Sequence, residues 1–365
     1  MAVKLSQQDA YRDKKLLLID KSQKNKNDRT WSFWSKDKDF FSDLIYHRWP
    51  TVRFASHKQN KKLNAAPYEY CMVRGIDFYT HAKDIINQSP NINIIQENII
   101  DITESDEDVT VTTNSSKHYA PIIFNNIPQS ISVAEDTQNS NHIFVWQHFK
   151  GWFIETPDDV FDKDEAIFMD FRVSQDNETR FFYVLPTASN KALVELAIFS
   201  SKIPSPNFYD PFLDDYISTV LGIPTFNISE EEIGAIPMTT FDFQVSRTNR
   251  IIPIGTNGGS VKPSSGYAFT RIQKHISILA DYLIKGKLDD YRPKTSRYDL
   301  YDRTMLNAIL SGKTSGVEVF DKLFGKLDAK TIFQFLDEEG SFLNDLKIFT
   351  APPKWPFIKA FLQEL

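Results

Sequence analysis

Two places in this chain carry residue types suited to chemistry. One is Glu195, alone among apolar residues in Ala192-Leu-Val-Glu-Leu-Ala-Ile-Phe199. Read as a strand, that stretch puts Leu193, Glu195, Ala197 and Phe199 on one face and Ala192, Val194, Leu196 and Ile198 on the other. A carboxyl held among apolar groups has its ionised form disfavoured, so it keeps a proton at neutral pH and suits general-acid work. Two other readings stand beside this one: an inward charge that blocks edge pairing, and a carboxylate paired to an arginine distant in sequence. The second place is RIIPIGTNGGSVKPSSGYAF, starting at Arg250, where Gly255, Gly258, Gly259 and Gly266 crowd into twelve positions. Glycines so placed let the backbone approach something flat or charged. Feeding a helix, such a turn aims unpaired N–H groups and the positive dipole end at one point, which favours an anion or an electron-rich ring. A plain tight turn is the alternative.

The elements that must position these residues follow from periodicity. A short buried strand precedes the glycines, and Ile272, Ile276, Leu279, Ala280 and Leu283 recur at helical spacing after them, with Gly286 placed as a stop. The strand of Glu195 belongs to a set divided by turns, over residues 150–156, 166–171, 181–185, 192–199 and 233–240, the pattern of an antiparallel sheet. Upstream, residues 1–8 read as helix and 16–20 as a buried parallel strand ending in Asp20. Residues 77–88 read as helix, 91–113 as a strand hairpin and 122–124 as a strand. From residue 296 onward the pattern is mostly helical, and Asp328 is placed to start a helix carrying Ile332, Phe335 and Leu336.

Composition narrows the classes. A chain of 365 residues suffices for a large core and two domains or one elaborate one. A net charge of −6 argues against a nucleic-acid partner. The one cysteine, Cys71, has no partner for an internal disulfide and fits a reducing compartment, where it reads as a packed small residue. The histidines show no metal-ligand spacing, and no apolar run reaches the roughly 18 residues of a membrane span. Phenylalanine is abundant, at 29 residues, which fits either an aromatic core or a long apolar channel.

The string IGTNGGSVKPSSGYAFTRIQ resembles the flavin-side signature of the bacterial lycopene cyclases. Five further strings agree in order: NDRTWSFW from Asn27, WQHFKGWFIET from Trp146, FFYVLPTASNKALVE from Phe181, EEIGAIPMTT from Glu231 and FLDEEG from Phe335. The resemblance implies an α/β fold with an α+β insert. A Rossmann-like FAD-binding domain would comprise residues 1–127 and 245–290, an antiparallel-sheet substrate domain 128–244, and a helical C-terminal region 291–365. It implies a flavin-dependent lycopene β-cyclase that closes β-rings on a linear carotenoid without net redox change, with FAD kept reduced and NAD(P)H as electron source. Glu195 would be the acid. Asp20, Arg29, Thr30, Trp31, Gly255, Thr256, Gly258, Gly259, Lys262, Pro263 and Gly266 would hold the cofactor, with no metal involved. Glu231, Glu232, Asp337, Glu338 and Glu339 take supporting roles. Where the next two residues of the family are usually acidic or polar and then threonine, this chain has Leu196 and Ala197.

Met1 falls where the family has the middle of its first helix, so the resemblance also implies a preceding strand and GxGxxG turn, encoded in frame upstream. The substrate would be lycopene, collected by a peripheral protein on the inner face of the cell membrane. Residues 349–361, with Trp355, Phe357, Ile358 and Phe361 among Lys354 and Lys359, have the composition of an interfacial anchor or of a C-terminal helix docked on the core. Two other functions stand beside the cyclase: a flavin oxidoreductase acting on an isoprenoid, and a non-enzymatic isoprenoid-binding protein.

Overall fold

The computed structural model describes residues 1–36, 41–127, 134–135, 142–293, 296–312 and 314–364. Helix α1 (Ala2–Ser6) is followed by β1 (Leu16–Asp20), β2 (Thr30–Ser35), β3 (His47–Trp49), β4 (Thr51–Ala55), β5 (Asn60–Asn64), β6 (Glu69–Arg74) and helix α2 (Gly75–Asn87). Next come β7 (Ile92–Gln96), β8 (Ile99–Glu104), β9 (Val109–Thr113), β10 (Lys117–Ala120) and β11 (Ile123–Asn125). The long strands β12 (Phe144–Glu155), β13 (Glu165–Asp170), β14 (Thr179–Ala188) and β15 (Lys191–Ser200) lead to α3 (Asp210–Asp215) and β16 (Asn227–Thr239). Strand β17 (Ile251–Pro253) precedes α4 (Phe269–Ile284), and the chain closes with α5 (Arg297–Leu310), α6 (Gly316–Lys326), α7 (Ala329–Leu336), α8 (Phe342–Thr350) and α9 (Lys354–Glu364).

The largest sheet has the order β16-β12-β15-β14-β13-β4-β5 and is antiparallel except where β13 meets β4. It is therefore not confined to residues 128–244. Strand β4 buries Val52, Phe54 and Ala55 and covers the edge of β13, whose backbone groups would otherwise be buried without partners. The hairpin expected over 91–113 is also redistributed: β7 leaves it to pair in parallel with β1, and β8, β9 and β10 form their own antiparallel sheet. Strands β11 and β17 make a second parallel pair. A third small sheet has the order β2-β6-β3.

Both faces of the large sheet are covered. On one, Phe168, Phe181, Leu193, Ala197 and Phe199 pack with Leu306, Phe320, Phe324, Phe333 and Phe357 of the C-terminal helices. On the other, Phe182, Val194, Leu196 and Ile198 pack against Tyr209, Leu213 and Tyr216 in and beside α3. The two-faced reading of 192–199 is the observed one. The C-terminal helices start on side-chain caps where short polar residues can accept backbone N–H groups: Ser296 for α5, Ser315 for α6, Asp328 for α7 and Ser341 for α8. At the C-terminus Phe357 is buried while Trp355 is 82% exposed, so the expected anchor cluster splits across α9.

The glycine segment also differs from its expected shape. Gly255–Gly258 is a single 3-10 turn closed by Gly259 at φ 73°, and α4 begins only at Phe269. The amino end of α4 thus adjoins Gly266 rather than the first three glycines. Lys262, whose N–H donates to the Tyr267 carbonyl and whose carbonyl accepts from the Gly266 N–H, both at 2.9 Å, turns the intervening loop.

Candidate active site

Backbone pairing puts four residues in one row across four strands: Tyr183 of β14, Glu195 of β15, Gly151 of β12 and Glu232 of β16. Paired residues share a face of the sheet, and this row looks toward the C-terminal helices, as Leu193, Ala197 and Phe199 do. The carboxyl groups of Glu195 and Glu232 are hydrogen-bonded to each other. Such a bond requires a proton between them, because an ionised carboxylate only accepts. Burial pushes the Glu195 carboxyl well above the ordinary range, and the charge of Glu232 adds to that. Burial raises Glu232 too, but hydrogen bonds from Glu195 and from the hydroxyl and backbone of Thr30 draw it back. Thr30 Oγ1 donates to Glu232 Oε2 at 2.7 Å. Of the two, Glu195 accordingly holds the shared proton more firmly. Glu231, one residue earlier, faces away and pairs with Lys150 at 3.3 Å.

Three tyrosines close around the pair. The Tyr267 hydroxyl lies 3.3 Å from that of Tyr70 and 3.5 Å from that of Tyr183. Tyr183 and Tyr267 also line an apolar cavity of about 70 Å³ between the sheet and the C-terminal helices, walled by Phe168, Phe181, Phe199, Phe335 and Phe349 among others. Aromatic faces of this kind stabilise a positive charge without offering it a nucleophile.

A second cavity, of about 840 Å³, is lined by Asp20, Arg29, Trp31, Gly255, Thr256 and Phe269. Leu18 of β1 and Ile254 after β17 both border it, so it lies between the two parallel strand pairs. Five of the residues expected to hold a cofactor therefore meet: Asp20 at a strand end, Arg29 and Trp31 at the start of β2, and Gly255 and Thr256 in the turn. The others lie elsewhere. The Thr30 hydroxyl is turned to Glu232. A Cβ on Gly258 would sit 2.7 Å from the Pro253 carbonyl oxygen, and Gly259 lies against Phe243, so both serve the packing of the turn. Lys262 is fully buried, with Nζ 3.0 Å from Asp302 and 3.1 Å from Glu338, which ties the loop to α5 and to the end of α7. Pro263 is half-buried next to it, and Gly266, at φ +75°, gives room to the buried Gln147 amide. A side chain committed as Lys262 is cannot also hold a phosphate.

The large cavity fits a flavin dinucleotide on three counts. Its volume lies within the usual range for cofactor sites, about 300–1,000 Å³. Arg29 offers donors suited to phosphate and Asp20 acceptors suited to ribose hydroxyls. The turn supplies a positive-φ glycine, Gly255, at the rim, where a Cβ would meet only Asn126 Cβ at 3.8 Å.

A family model described as Lycopene cyclase protein matches residues 1–362. The chain belongs to the lycopene cyclase family. A curated relative, a chloroplastic neoxanthin synthase of Solanum tuberosum, is 28% identical over 160 residues, which is 40% of this chain and 31% of that protein. The chain thus matches less than a third of that relative's length. Among solved structures, a flavoprotein/dehydrogenase from Cytophaga hutchinsonii superposes with a TM-score of 0.63 at 13% identity, covering 99% of this chain and 95% of that one. A geranylgeranyl bacteriochlorophyll reductase-like protein from Thermoplasma acidophilum gives 0.58 at 12% identity, covering 100% and 96%. At these identities the likeness is one of fold: the mixed α/β fold of flavoproteins, with a sheet domain and C-terminal helices. In this lycopene cyclase family member five of the six strings read from the sequence converge, and the sixth, FLDEEG, instead holds Lys262 through Glu338. NDRTW supplies Thr30, WQHFKGW supplies Gly151, FFYVLP supplies Tyr183, EEIGAIP supplies Glu232 and SSGYAF supplies Tyr267, all around Glu195.

Proposed function

We propose that this protein closes β-rings on the ends of linear lycopene, with Glu195 as the acid. The observation that carries this reading is a carboxyl on the aromatic face of the sheet that burial and a second carboxyl keep protonated, paired across the strands with Tyr183, which lines an apolar cavity. Glu195 gives its proton to the terminal carbon–carbon double bond, leaving a cation on the neighbouring carbon. The next double bond attacks that cation and closes the six-membered ring, and the new ring cation loses a proton to give the β-end. One proton is added and one is lost, so electrons and atoms balance without net redox change. Tyr183, Tyr267, Phe168 and Phe199 surround the cation and exclude water, which would otherwise capture it. Asp20, Arg29, Trp31, Gly255 and Thr256 would hold FAD in the larger cavity. When bound and reduced, with NAD(P)H as electron donor, the flavin supplies electron density beside the positive charge. Substrate of this kind resides in a bilayer, so the reading includes peripheral contact with the inner face of the cell membrane.

The test is Glu195→Gln, which keeps size and polarity but removes the proton. Ring closure is expected to fall by at least on the order of 10²-fold, with the circular dichroism spectrum and any flavin absorbance unchanged. Conversion of lycopene by this variant at the wild-type rate would reject Glu195 as the acid. Consumption of one NAD(P)H per product by the wild-type protein would favour an isoprenoid oxidoreductase instead.

A further inference from the structure

The row Tyr183, Glu195, Gly151, Glu232 contains one residue with no side chain, and it stands between the two acids. Strands in a sheet lie about 4.8 Å apart, so the α-carbons of Glu195 and Glu232, with β12 between them, are roughly 10 Å apart. Two glutamates at that separation meet only by leaning toward each other over the intervening strand. Glu195 does so: a Cβ built on Gly151 would lie 3.2 Å from Glu195 Cβ, 3.4 Å from its Cγ and 2.8 Å from Leu193 Cδ1. That space is already taken by the stem of the acid. Gly151 has no positive φ that would demand glycine, so the close approach alone explains it. From the far side Thr30 Oγ1 fixes Glu232 at 2.7 Å, and Glu232 is 4% exposed.

We propose that Gly151 is a positioning residue that lets Glu195 and Glu232 share one proton across β12, and that Glu232 is the carboxylate that keeps the acid loaded between turnovers. This rests on the cyclase reading given above. The singly protonated pair contains both a donor for the first step and an acceptor for the last. The proton lost from the ring cation returns to the pair, so Glu195 is reloaded from its neighbour. Other titratable groups facing the pair are the hydroxyls of Tyr183, Tyr70 and Tyr267 and, along β16, Glu230, which accepts from Asn27 Nδ2 at 2.9 Å. Lys150 and Glu231 lie on the opposite face. Among the described groups facing the pair no cation replaces the proton.

Two variants test this, each with a readout that does not need turnover. In infrared titration, the carbonyl band of a protonated carboxylic acid is expected to persist above neutral pH in the wild-type protein. In Glu232→Gln the like charge is gone, so the band is expected to disappear at a pH lower by about one unit or more, and the high-pH limb of kcat/KM to move with it. In Gly151→Ala the two carboxyls are forced apart. The expected result is a shifted titration of the band and a kcat lower by on the order of 10²-fold, with KM unchanged. Should Gly151→Ala fail to fold, Glu232→Gln and Glu232→Asp, whose shorter arm cannot reach over β12, decide the matter. Wild-type titration and pH limbs in Glu232→Gln would overturn the shared proton. Wild-type kcat and titration in a folded Gly151→Ala would overturn the role of the glycine. A wild-type protein with the expected band but no ring closure would reject the cyclase reading and leave the pair standing.

Discussion

Glu195 could be found from sequence because it is a single charge in an apolar strand, and alternation alone fixes its face. Its partner was marked only by the family resemblance, as one of five acids, and no local pattern singled it out. Glu232 sits in Ser-Glu-Glu-Glu, which reads as a solvated acidic run; only the register with β12 separates Glu232, turned inward, from Glu231, turned to Lys150. Gly151 was equally silent, since a glycine needed for a neighbour's side chain looks like any other glycine until the neighbour is known. Lys262 reversed the expectation: in a glycine-rich turn it suggests a phosphate ligand, yet its amine is committed to Asp302 and Glu338. One further residue sets a pH limit on the fold. His148 is 1% exposed, its Nε2 2.8 Å from Ser200 Oγ and its Nδ1 2.7 Å from the Tyr209 hydroxyl. Burial, with the nearby Arg180 charge, depresses its pKa to about 4. The folded protein therefore binds this proton less readily than the unfolded chain, for which the value is about 6.5. Its contribution is complete above about pH 6.5 and is lost as pH falls toward 4, by up to about 3 kcal/mol. The urea midpoint is expected to drop over that interval, and to drop less in His148→Gln.

At the scale of elements, strands and helices that carry their own periodicity were legible, and their partners were not. The helix beginning at Asp328 is the plainest case of the first kind. The side chain of Asp328 accepts from the Thr331 backbone N–H at 2.7 Å, and α7 then buries Ile332 and Phe333. Asp328→Ala should cost about 1 kcal/mol, read as a lower thermal midpoint with unchanged spectra, and Asp328→Ser should restore most of it. Strand β4 is a case of the second kind. Nothing local in Thr-Val-Arg-Phe-Ala distinguishes a strand of the first domain from the sixth strand of the large sheet; what decides it is the open edge of β13, more than a hundred residues later in the chain. The glycine turn lies between these cases, since its location was legible but its separation from the start of α4 depends on the loop anchored by Lys262.

For the whole molecule, one group of exposed apolar residues is concentrated on the last two helices. Phe342, Leu343 and Leu346 on α8 and Trp355, Ile358 and Leu362 on α9 are exposed, with Lys347, Lys354 and Lys359 among them. The opposite sides of these helices, through Ile348, Phe349 and Phe357, line the apolar cavity. No helix of the described residues is long and apolar enough to cross a membrane. Under the peripheral-contact reading proposed above, this surface has the composition suited to lipid. Replacing Trp355 and Phe342 together by serine is expected to reduce sedimentation with anionic liposomes severalfold while thermal stability stays the same; unchanged sedimentation would reject this surface as the lipid contact. The order in which the chain emerges from the ribosome meets a different constraint. Strand β4 needs β13, and β11 needs β17, which begins at Ile251, whereas β11 begins at Ile123. At a translation rate of about 5–20 residues per second, the first half of the protein waits roughly ten seconds with strand edges and apolar side chains unpaired. Thr30 and Glu232 come from opposite sides of that interval, so the acid pair is completed only after most of the chain has been made. A slowly translated stretch between the two halves would lengthen that exposure rather than help the chain fold.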